Sequence, residues 1–460
     1  MEARAVLDRP GRTAQLGERF AAELVLRGRL EEAQHHFERL AAEASGGEPV
    51  RLLRLAAGAA AARLVGDEAM RLLRAAETAA TLAGDQAAAA DAIGWRVLYA
   101  TLAPGIMANP PSAEATEEAL VRARNTAPVG SPAAVTAAAA AAIRLPEDDP
   151  RAVSDARAAA ASAVAAGLPI VASAALDGLC AVYLSRGEIA AALDVVNKRG
   201  RMLADVPLDA TSGYAFNDFL LMGCEVSLAA GDLAGSIGYA ERLAALPCYR
   251  DYAHPALARR LEVDALAGDL TGAVDRGRRF RASWELAGRH RASTLAPGTY
   301  ALALVHGLLD NPAERDEWRA VTDELLAARP ATTAGVGTGW APTLDALYLL
   351  DRREPAAAVE RLTAGLDDPL WRAWNTRLWF PWYAAAWAEA AVLAGLPSAP
   401  DRVAAAEGAT SENPVASAVV RRAGMLARGE LADVGDLADE FERLGCWYQR
   451  DRSLRLAGQG

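Results

Sequence analysis

The sequence predicts an all-α protein built from stacked helical hairpins. Apolar residues recur at spacings of three and four throughout the chain, whereas the alternation expected of strands is nowhere sustained. Hydrophobic residues make up 52% of the 460 positions, and much of that share is alanine, which favours helix. Because the chain exceeds the usual size of one compact core, we expect several domains or one array of repeats.

A short glycine-centred turn recurs along the chain and marks the joint between two helices. In each clear copy, leucine or isoleucine follows the glycine by two positions and a small residue follows it by five. Glycine can adopt the left-handed conformation that ends the first helix, and the small residue lets the second helix approach closely. Weaker copies surround Gly66 and also Arg353, which stands in place of the glycine. The clear copies are centred on Gly28, Gly187, Gly231 and Gly268.

The spacing of these turns is typical of a helical repeat protein. Gly187 and Gly231 are 44 residues apart, and Gly231 and Gly268 are 37 apart. Periods near 40 indicate an α-solenoid. The turn segments resemble tetratricopeptide-type repeats, whose usual period is shorter, and this resemblance implies a right-handed superhelix with a concave binding groove.

Two segments resemble the C-terminal helical region of large LuxR-type ATP-binding regulators, namely Tyr300 to Trp318 and Leu437 to Gly458. Members of that family join a nucleotide-binding module, a helical sensor array and a DNA-binding helix-turn-helix. The single lysine, Lys198, lies outside any Walker A loop, and the sequence ends directly after the last repeat-like helix. The resemblance therefore implies a sensor array alone, acting in a regulatory or biosynthetic pathway.

Segments rich in proline and glycine suggest where the array divides. Thr101 to Thr116 and Arg144 to Val153 read as proline-rich connectors, and Ala328 to Thr343 as a glycine–threonine loop. We therefore predict an N-terminal stack at 1–145, a middle stack at 146–329 and a Trp-rich C-terminal stack at 330–460.

Charge and cysteine usage indicate a cytoplasmic protein. The net charge is −11 and no run of five like charges occurs, which disfavours direct nucleic-acid binding. No apolar signal segment or membrane-spanning segment is evident, so no membrane partner is expected. The four cysteines form no C-x-x-C pair and read as buried thiols: Cys180, Cys224, Cys248 and Cys446.

The stretch from Leu370 to Ala390 holds five of the ten tryptophans. Asp368 and Pro369 form a typical helix start, so the sequence predicts a helix running through residue 380. Such a helix would place Trp371, Trp374 and Leu378 on one face.

Pro381 is expected to kink or restart this helix. After it, Tyr383 and Trp387 should share one face while Trp382 points elsewhere. The rings thus cover more than one side, and core packing accounts for only some of them. Trp379, Trp382 and Trp387 are the candidates for lining a ligand groove.

Two other segments offer candidate binding residues. Arg276 to Arg291 is the densest basic segment; most of it reads as a solvated helix face, and Arg278 and Arg281 are possible anion partners. His254 lies near Asp251 in a polar aromatic cluster. That cluster reads either as an acid–base site or as a hydrogen-bonded loop between repeats.

Several segments match only part of a known catalytic or metal-binding motif, so they do not support such a function. "GVGTGW" at 335–340 suggests a phosphate cradle but lacks the preceding strand, so a loop between stacks is preferred. "NDFLLMGCE" at 217–225 resembles the second metal motif of class I terpene cyclases, but its partner motif is missing. No histidine pair has zinc-helix spacing. We therefore predict no cofactor, no metal and no catalytic residue.

These observations favour a binding or scaffold protein that takes a peptide, a protein or a small ligand in its concave groove. The alternative is an all-α pocket protein, either an enzyme using Asp251 or His254 for proton transfer or a drug-sequestering protein. A third possibility is a scaffold that self-associates as a homodimer. An open superhelix would favour peptide binding, whereas a closed ring of helices with an apolar cavity would favour small molecules.

Overall fold

The computed structural model describes residues 10–250, 252–327 and 339–458. Within these residues the chain forms 24 α-helices and no strand, which confirms the predicted all-α class. Most helices form hairpins, and we call the first helix of each hairpin the A helix and the second the B helix. The handedness of the array stays a prediction.

The A helices are α1 Pro10–Leu26, α3 Glu48–Ala62, α5 Gln86–Leu102, α7 Pro132–Ala142, α9 Pro169–Ser185, α11 Gly213–Ala229, α13 His254–Ala267, α15 Ala296–Leu308, α17 Trp340–Asp351, α20 Phe380–Leu393, α22 Pro414–Arg428 and α24 Trp447–Ala457. The B helices are α2 Leu30–Glu43, α4 Gly66–Leu82, α6 Ala113–Thr126, α8 Ala152–Ala165, α10 Ile189–Leu203, α12 Leu233–Ala244, α14 Leu270–Leu286, α16 Pro312–Leu326, α18 Pro355–Arg361, α21 Ala399–Ala409 and α23 Leu431–Arg443. A short helix α19 spans Trp374–Arg377, and 3₁₀ turns lie at Pro104–Ile106, Pro247–Tyr249, Ser293–Leu295 and Pro369–Arg372.

The two kinds of helix differ in how much of their surface is buried. In α13, 13 of 14 residues are buried, whereas α14 buries only five of its 17. The sequences explain the difference, because A helices such as α15 are apolar on nearly every side while α14 carries one apolar stripe. The A helices therefore form the interior and the B helices cover it.

The predicted glycine turns are confirmed. Gly28, Gly187, Gly231 and Gly268 all have positive φ angles, between 70° and 95°. The small residue five positions later is fully buried in each copy. Arg353 adopts the same left-handed conformation, with φ 63°.

The copy around Gly66 is displaced from the predicted position. Leu64 takes the left-handed turn, with φ 62°, and Gly66 is instead the first residue of α4. An added Cβ there would lie 2.5 Å from the Met107 side chain, so Gly66 is required for close packing rather than for the turn.

Hairpins far apart in sequence contact one another. The last carbonyl groups of an A helix have no partner within the helix. In three A helices, a side chain from a hairpin 154 to 187 residues further along donates a hydrogen bond to such a carbonyl. These donor and acceptor pairs are Tyr249–Ala62, Trp382–Leu228, Asn413–Ala229 and Cys446–Leu266.

A glycine turn also serves as a contact point between distant hairpins. Gly268 ends α13 with φ 95°, and an added Cβ there would lie 2.5 Å from the backbone nitrogen of Tyr448 in α24. One hydrophobic core cluster runs from Ala21 to Tyr448 and includes residues from all three predicted stacks. The division at 145 and 329 stays a prediction.

The predicted continuous helix through residues 369–380 is wrong. Asp368 does cap a start, accepting from the Leu370 N–H at 2.9 Å, but Pro369–Arg372 is a 3₁₀ turn and Ala373 is extended. The Thr376 hydroxyl donates to the carbonyls of Leu370 (2.5 Å) and Ala373 (2.9 Å), competing with helical hydrogen bonding.

The face predicted for this segment is therefore wrong as well. Trp371 packs with Tyr383 in a small separate cluster, whereas Leu378 lies in the main core. The restart at Pro381 is confirmed, because α20 begins at Phe380. Tyr383 and Trp387 pack together in the small cluster while Trp382 faces the main core, as predicted.

The four cysteines are buried free thiols, as predicted. No helix in the described part of the chain is long and apolar enough to cross a bilayer.

Candidate functional site

Five A helices in the N-terminal half form a ring, which we call the first ring: α3, α5, α7, α9 and α11. From α5 to α11 neighbouring A helices pack side by side, and α11 returns to contact α3. The Arg54–Asp91 ion pair joins α3 to α5. An added Cβ at Gly58 of α3 would lie 2.1 Å from the carbonyl oxygen of Ala210, just before α11. The lack of a side chain at Gly58 therefore allows the ring to close.

A cleft of about 550 Å³ opens between the N-terminal ends of these helices. Its volume lies within the usual range for small-molecule sites. Its apolar lining includes Val50, Leu55, Ala88, Trp95, Ala133 and Ile170.

Three polar side chains of the cleft partner one another: Arg54, Asp91 and Thr136. Arg54 forms an ion pair with Asp91, and the Thr136 hydroxyl donates to Asp91 Oδ1 at 3.2 Å. Burial raises the pKa of Asp91, while Arg54 opposes that effect. The Arg54 guanidinium also lies 5.7 Å from the centroid of the Trp95 ring. These contacts hold the indole at the base of the cleft.

Beneath Trp95 lies a small chamber of about 30 Å³, and Trp95 lines both cavities. Two tyrosines form its aromatic side: Tyr99 lies 5.8 Å from Trp95 and 5.4 Å from Tyr214 between ring centroids. Arg199 and Asp218 form its charged side. The chamber is therefore both aromatic and charged.

The charged side of the chamber is a buried cluster of one arginine and two aspartates. Arg199 donates to Asp218 Oδ2 at 2.5 Å, to Asp177 Oδ1, and through Nε to the Ser173 hydroxyl at 3.2 Å. Burial and the nearby Asp218 carboxylate raise the pKa of Asp177 to about 7, against the opposing effect of Arg199. One guanidinium thus serves two carboxylates, which leaves the cluster with one excess negative charge when both are ionised.

Three polar atoms of the chamber are left open. Among the described residues, none forms a hydrogen bond with the hydroxyl groups of Tyr99 and Tyr214 or with Oδ1 of Asp218. Polar atoms without a protein partner around a small chamber can bind water or the polar group of a ligand.

The tryptophans predicted to line a groove lie in the C-terminal part of the fold. Trp379 and Trp382 are each only 5% exposed, and Trp382 donates to the Leu228 carbonyl at 2.9 Å. Trp387 is partly buried and stacks with Arg402, 4.4 Å from the ring centroid. None of the three lines the cleft or the chamber, and a ligand-binding role for them stays a prediction.

The predicted anion partners lie on the outer face of α14. Arg278 is exposed and pairs with Asp275 at 2.7 Å. Arg281 pairs with Glu317 and lies 4.4 Å from the Trp318 ring centroid. Both arginines therefore already have a carboxylate partner, and their binding to a ligand stays a prediction.

His254 is buried at the start of α13, where its ring Nδ1 lies 3.3 Å from the Ser283 hydroxyl. Burial lowers the pKa of His254 to about 3, so its imidazole is neutral at physiological pH. It lines a cavity of only about 20 Å³, which has room for little more than a water molecule. Asp251 lies outside the described residues, as do residues 335–338 of the glycine loop.

The terpene-cyclase-like segment lies in α11. Its Glu225 pairs with Arg259 at 2.9 Å. Among the described residues, no group of three or more histidine, cysteine or acidic side chains is arranged to hold a metal ion.

Sequence reasoning missed the cleft and the chamber, although α5 carries a signal for them. Asp91, Trp95 and Tyr99 are spaced by four and so form one stripe on a helix that is otherwise largely small or aliphatic. Tyr214 and Asp218 repeat that spacing in α11. Neither stripe identifies a site until the ring brings the two helices together.

No protein-family model matches the chain, and no curated protein matches it either.

Proposed function

We propose that the protein binds a small molecule in the cleft of the first ring and acts as a sensor or a sequestering protein. The observation that carries this proposal is the apolar cleft of about 550 Å³ between the A helices of the first ring. An apolar cavity with a few converging polar groups is the usual form of a small-molecule site. A sensing role is also what the resemblance to LuxR-type regulators implies.

The packing of the A helices favours a small molecule over a peptide. A peptide groove needs a row of open concave surface along successive repeats. In the first ring α3 and α11 contact each other, so the concave surface between them is covered and is not open to a peptide. Bound polypeptide and homodimer are therefore the alternative outcomes of the test.

The test is native mass spectrometry of the protein isolated from its source cells. We expect a discrete added mass below about one kilodalton, a size that suits a cavity of this volume. The variant Ala88→Trp places an indole in the cleft and should lose the added mass. Ala161→Trp, at an exposed position on α8, is the matched control and should keep it.

Two results would overturn the proposal. One is the absence of any small added mass from the wild-type protein. The other is a mass, whether small or polypeptide, that Ala88→Trp retains at the wild-type level.

A further inference from the structure

We propose that the ligand is an apolar primary amine whose ammonium group enters the chamber beside Asp218, Tyr99 and Tyr214. This inference rests on the proposed function, because it names the class of ligand that the same cleft would take. It follows from the sizes of the two cavities, the charge of the chamber and its open hydrogen-bonding atoms.

The sizes of the two cavities suit different parts of one ligand. The cleft, at about 550 Å³, accommodates an apolar body, whereas the chamber holds about 30 Å³. A water-sized group needs roughly 10–15 Å³ of such space. An ammonium group and its methylene therefore fit the chamber, and a trimethylammonium group does not.

The charge of the chamber favours a cation. Asp177 and Asp218 share the single guanidinium of Arg199. The Arg199 guanidinium is already paired with both carboxylates, and an anion in the chamber would lie beside the Asp218 carboxylate, which repels it. The aromatic faces of Trp95 and Tyr99 also attract cations.

The hydrogen-bonding atoms of the chamber match an ammonium group in number. A primary ammonium has three N–H donors and no acceptor. The chamber offers Asp218 Oδ1 and the hydroxyl oxygens of Tyr99 and Tyr214 as acceptors. Tyr99 lines this chamber and is only 6% exposed.

Calorimetric titration of the full chain with four matched probes tests the proposal. The probes are 2-(1-naphthyl)ethylamine, its N,N,N-trimethyl derivative, 2-(1-naphthyl)ethanol and 1-naphthylacetate. We expect the primary amine to bind about 10- to 100-fold more tightly than the alcohol, the range of a charge-assisted hydrogen bond. The trimethyl derivative and the carboxylate should bind no better than the alcohol.

Three variants test whether the ammonium group binds in the chamber. Asp218→Asn should weaken amine binding by about 10- to 100-fold and alcohol binding much less, because the alcohol carries no charge. Tyr99→Phe removes only an open hydroxyl, so it keeps the fold and should weaken amine binding several-fold. Tyr239→Phe is the matched control, because that hydroxyl donates to Asn197 outside the chamber, and it should bind like the wild type.

The outcomes separate this inference from the proposed function. The protein could instead bind the alcohol, the carboxylate or the trimethyl derivative most tightly. If Ala88→Trp abolished that binding, the amine inference would be overturned, and the proposal of a small-molecule site in the cleft would stand. Amine binding that neither Asp218→Asn nor Tyr99→Phe weakens would also overturn the inference. If no probe bound and the isolated protein carried no small added mass, both proposals would fail.

Discussion

The first ring and the C-terminal region each bury arginine and carboxylate groups, but in opposite proportion. In the first ring, one guanidinium serves Asp177 and Asp218. In the C-terminal region, the single carboxylate of Glu389 serves two guanidinium groups, accepting from Arg422 at 2.7 Å and from Arg452 at 3.3 Å. One cluster carries excess negative charge and the other excess positive charge.

The two clusters also differ in how their remaining atoms are used. Arg422 donates to the Ser453 hydroxyl, the Gln449 carbonyl and the Gln449 side chain, and Arg452 donates to the Leu350 carbonyl at 2.8 Å. None of the cavities described above touches Glu389. The Arg199 cluster instead borders a chamber with open acceptors.

The comparison shows that burial of charge does not by itself indicate a binding site. The Glu389 cluster ties α20, α22 and α24 together away from those cavities, so we assign it a structural role. Both clusters carry unbalanced charge, but the Arg199 cluster also borders a cavity with open acceptors. Those two additional features distinguish a candidate site from a structural network.

The largest effect is expected where the structural cluster is broken. Glu389→Ala leaves Arg422 and Arg452 buried without a counter-ion, so the free energy of unfolding should fall by about 3–5 kcal/mol. Urea unfolding measures this loss. Glu430→Ala, which breaks an exposed pair with Arg428, is the control and should change the free energy of unfolding far less. Equal losses would mean that the Glu389 cluster is not a structural element.

Two tryptophan truncations should separate stability from binding. Trp382→Ala removes a buried ring and should cost about 3–5 kcal/mol in unfolding free energy while leaving the cleft intact. Trp95→Ala removes a partly exposed ring, so we expect a smaller loss of stability together with loss of amine binding. Thermal unfolding and calorimetry measure both effects. If amine binding were lost only in Trp382→Ala, the binding site would lie in the Trp-rich segment and not in the cleft.

A pair of glycine substitutions tests how the middle of the chain packs on the C-terminal region. Gly429→Ala, with φ 75° and open space around its Cβ, should cost about 1–2 kcal/mol for the left-handed backbone alone. Gly268→Ala should cost clearly more, because its Cβ would approach the backbone of Tyr448 to 2.5 Å. Similar melting temperatures for the two variants would contradict this packing.

The smallest effect concerns pH. Asp177, with its pKa raised to about 7, takes up a proton as the pH falls from 8 to 6, and the chamber then loses its excess negative charge. An amine of pKa about 10 stays charged across this range, so its affinity should fall on acidification, by at most about tenfold per pH unit. Calorimetry in buffers of different ionisation enthalpy should show proton release on binding at pH 7.

Neighbouring groups define the control for this pH effect. Asp177 also lines a separate cavity of about 670 Å³. The charged groups that lie near Asp177 or line this cavity are Arg199, Asp218, Glu225, Glu147, Asp148, Arg186 and Arg372. Burial raises the pKa of Glu147 to about 7 as well. Glu147→Gln should keep the pH dependence and Asp177→Asn should lose it; the opposite result would assign the proton to Glu147.

The helices and their turns could be predicted because local physics determines them. Gly187 and Gly231 end helices through a backbone conformation that glycine adopts without strain, and the sequence around them carries that information. The helix predicted from Asp368 failed because the Thr376 hydroxyl competes for backbone carbonyls six and three residues earlier.

The candidate site could not be predicted because it depends on contacts between distant helices. Arg54 meets Asp91 across two helices, and Tyr99 meets Tyr214 only because α11 returns towards α3. The tryptophans drew attention for their size, but a large aromatic ring is used as readily for the core as for a ligand.

The most direct test of the central claim is a crystal structure of the protein purified from its source cells. We expect continuous non-protein electron density in the cleft between Ala88 and Ala133, reaching past Trp95 to Asp218. Ordered water alone in the cleft, with a bound molecule on the Trp-rich segment or none at all, would contradict it.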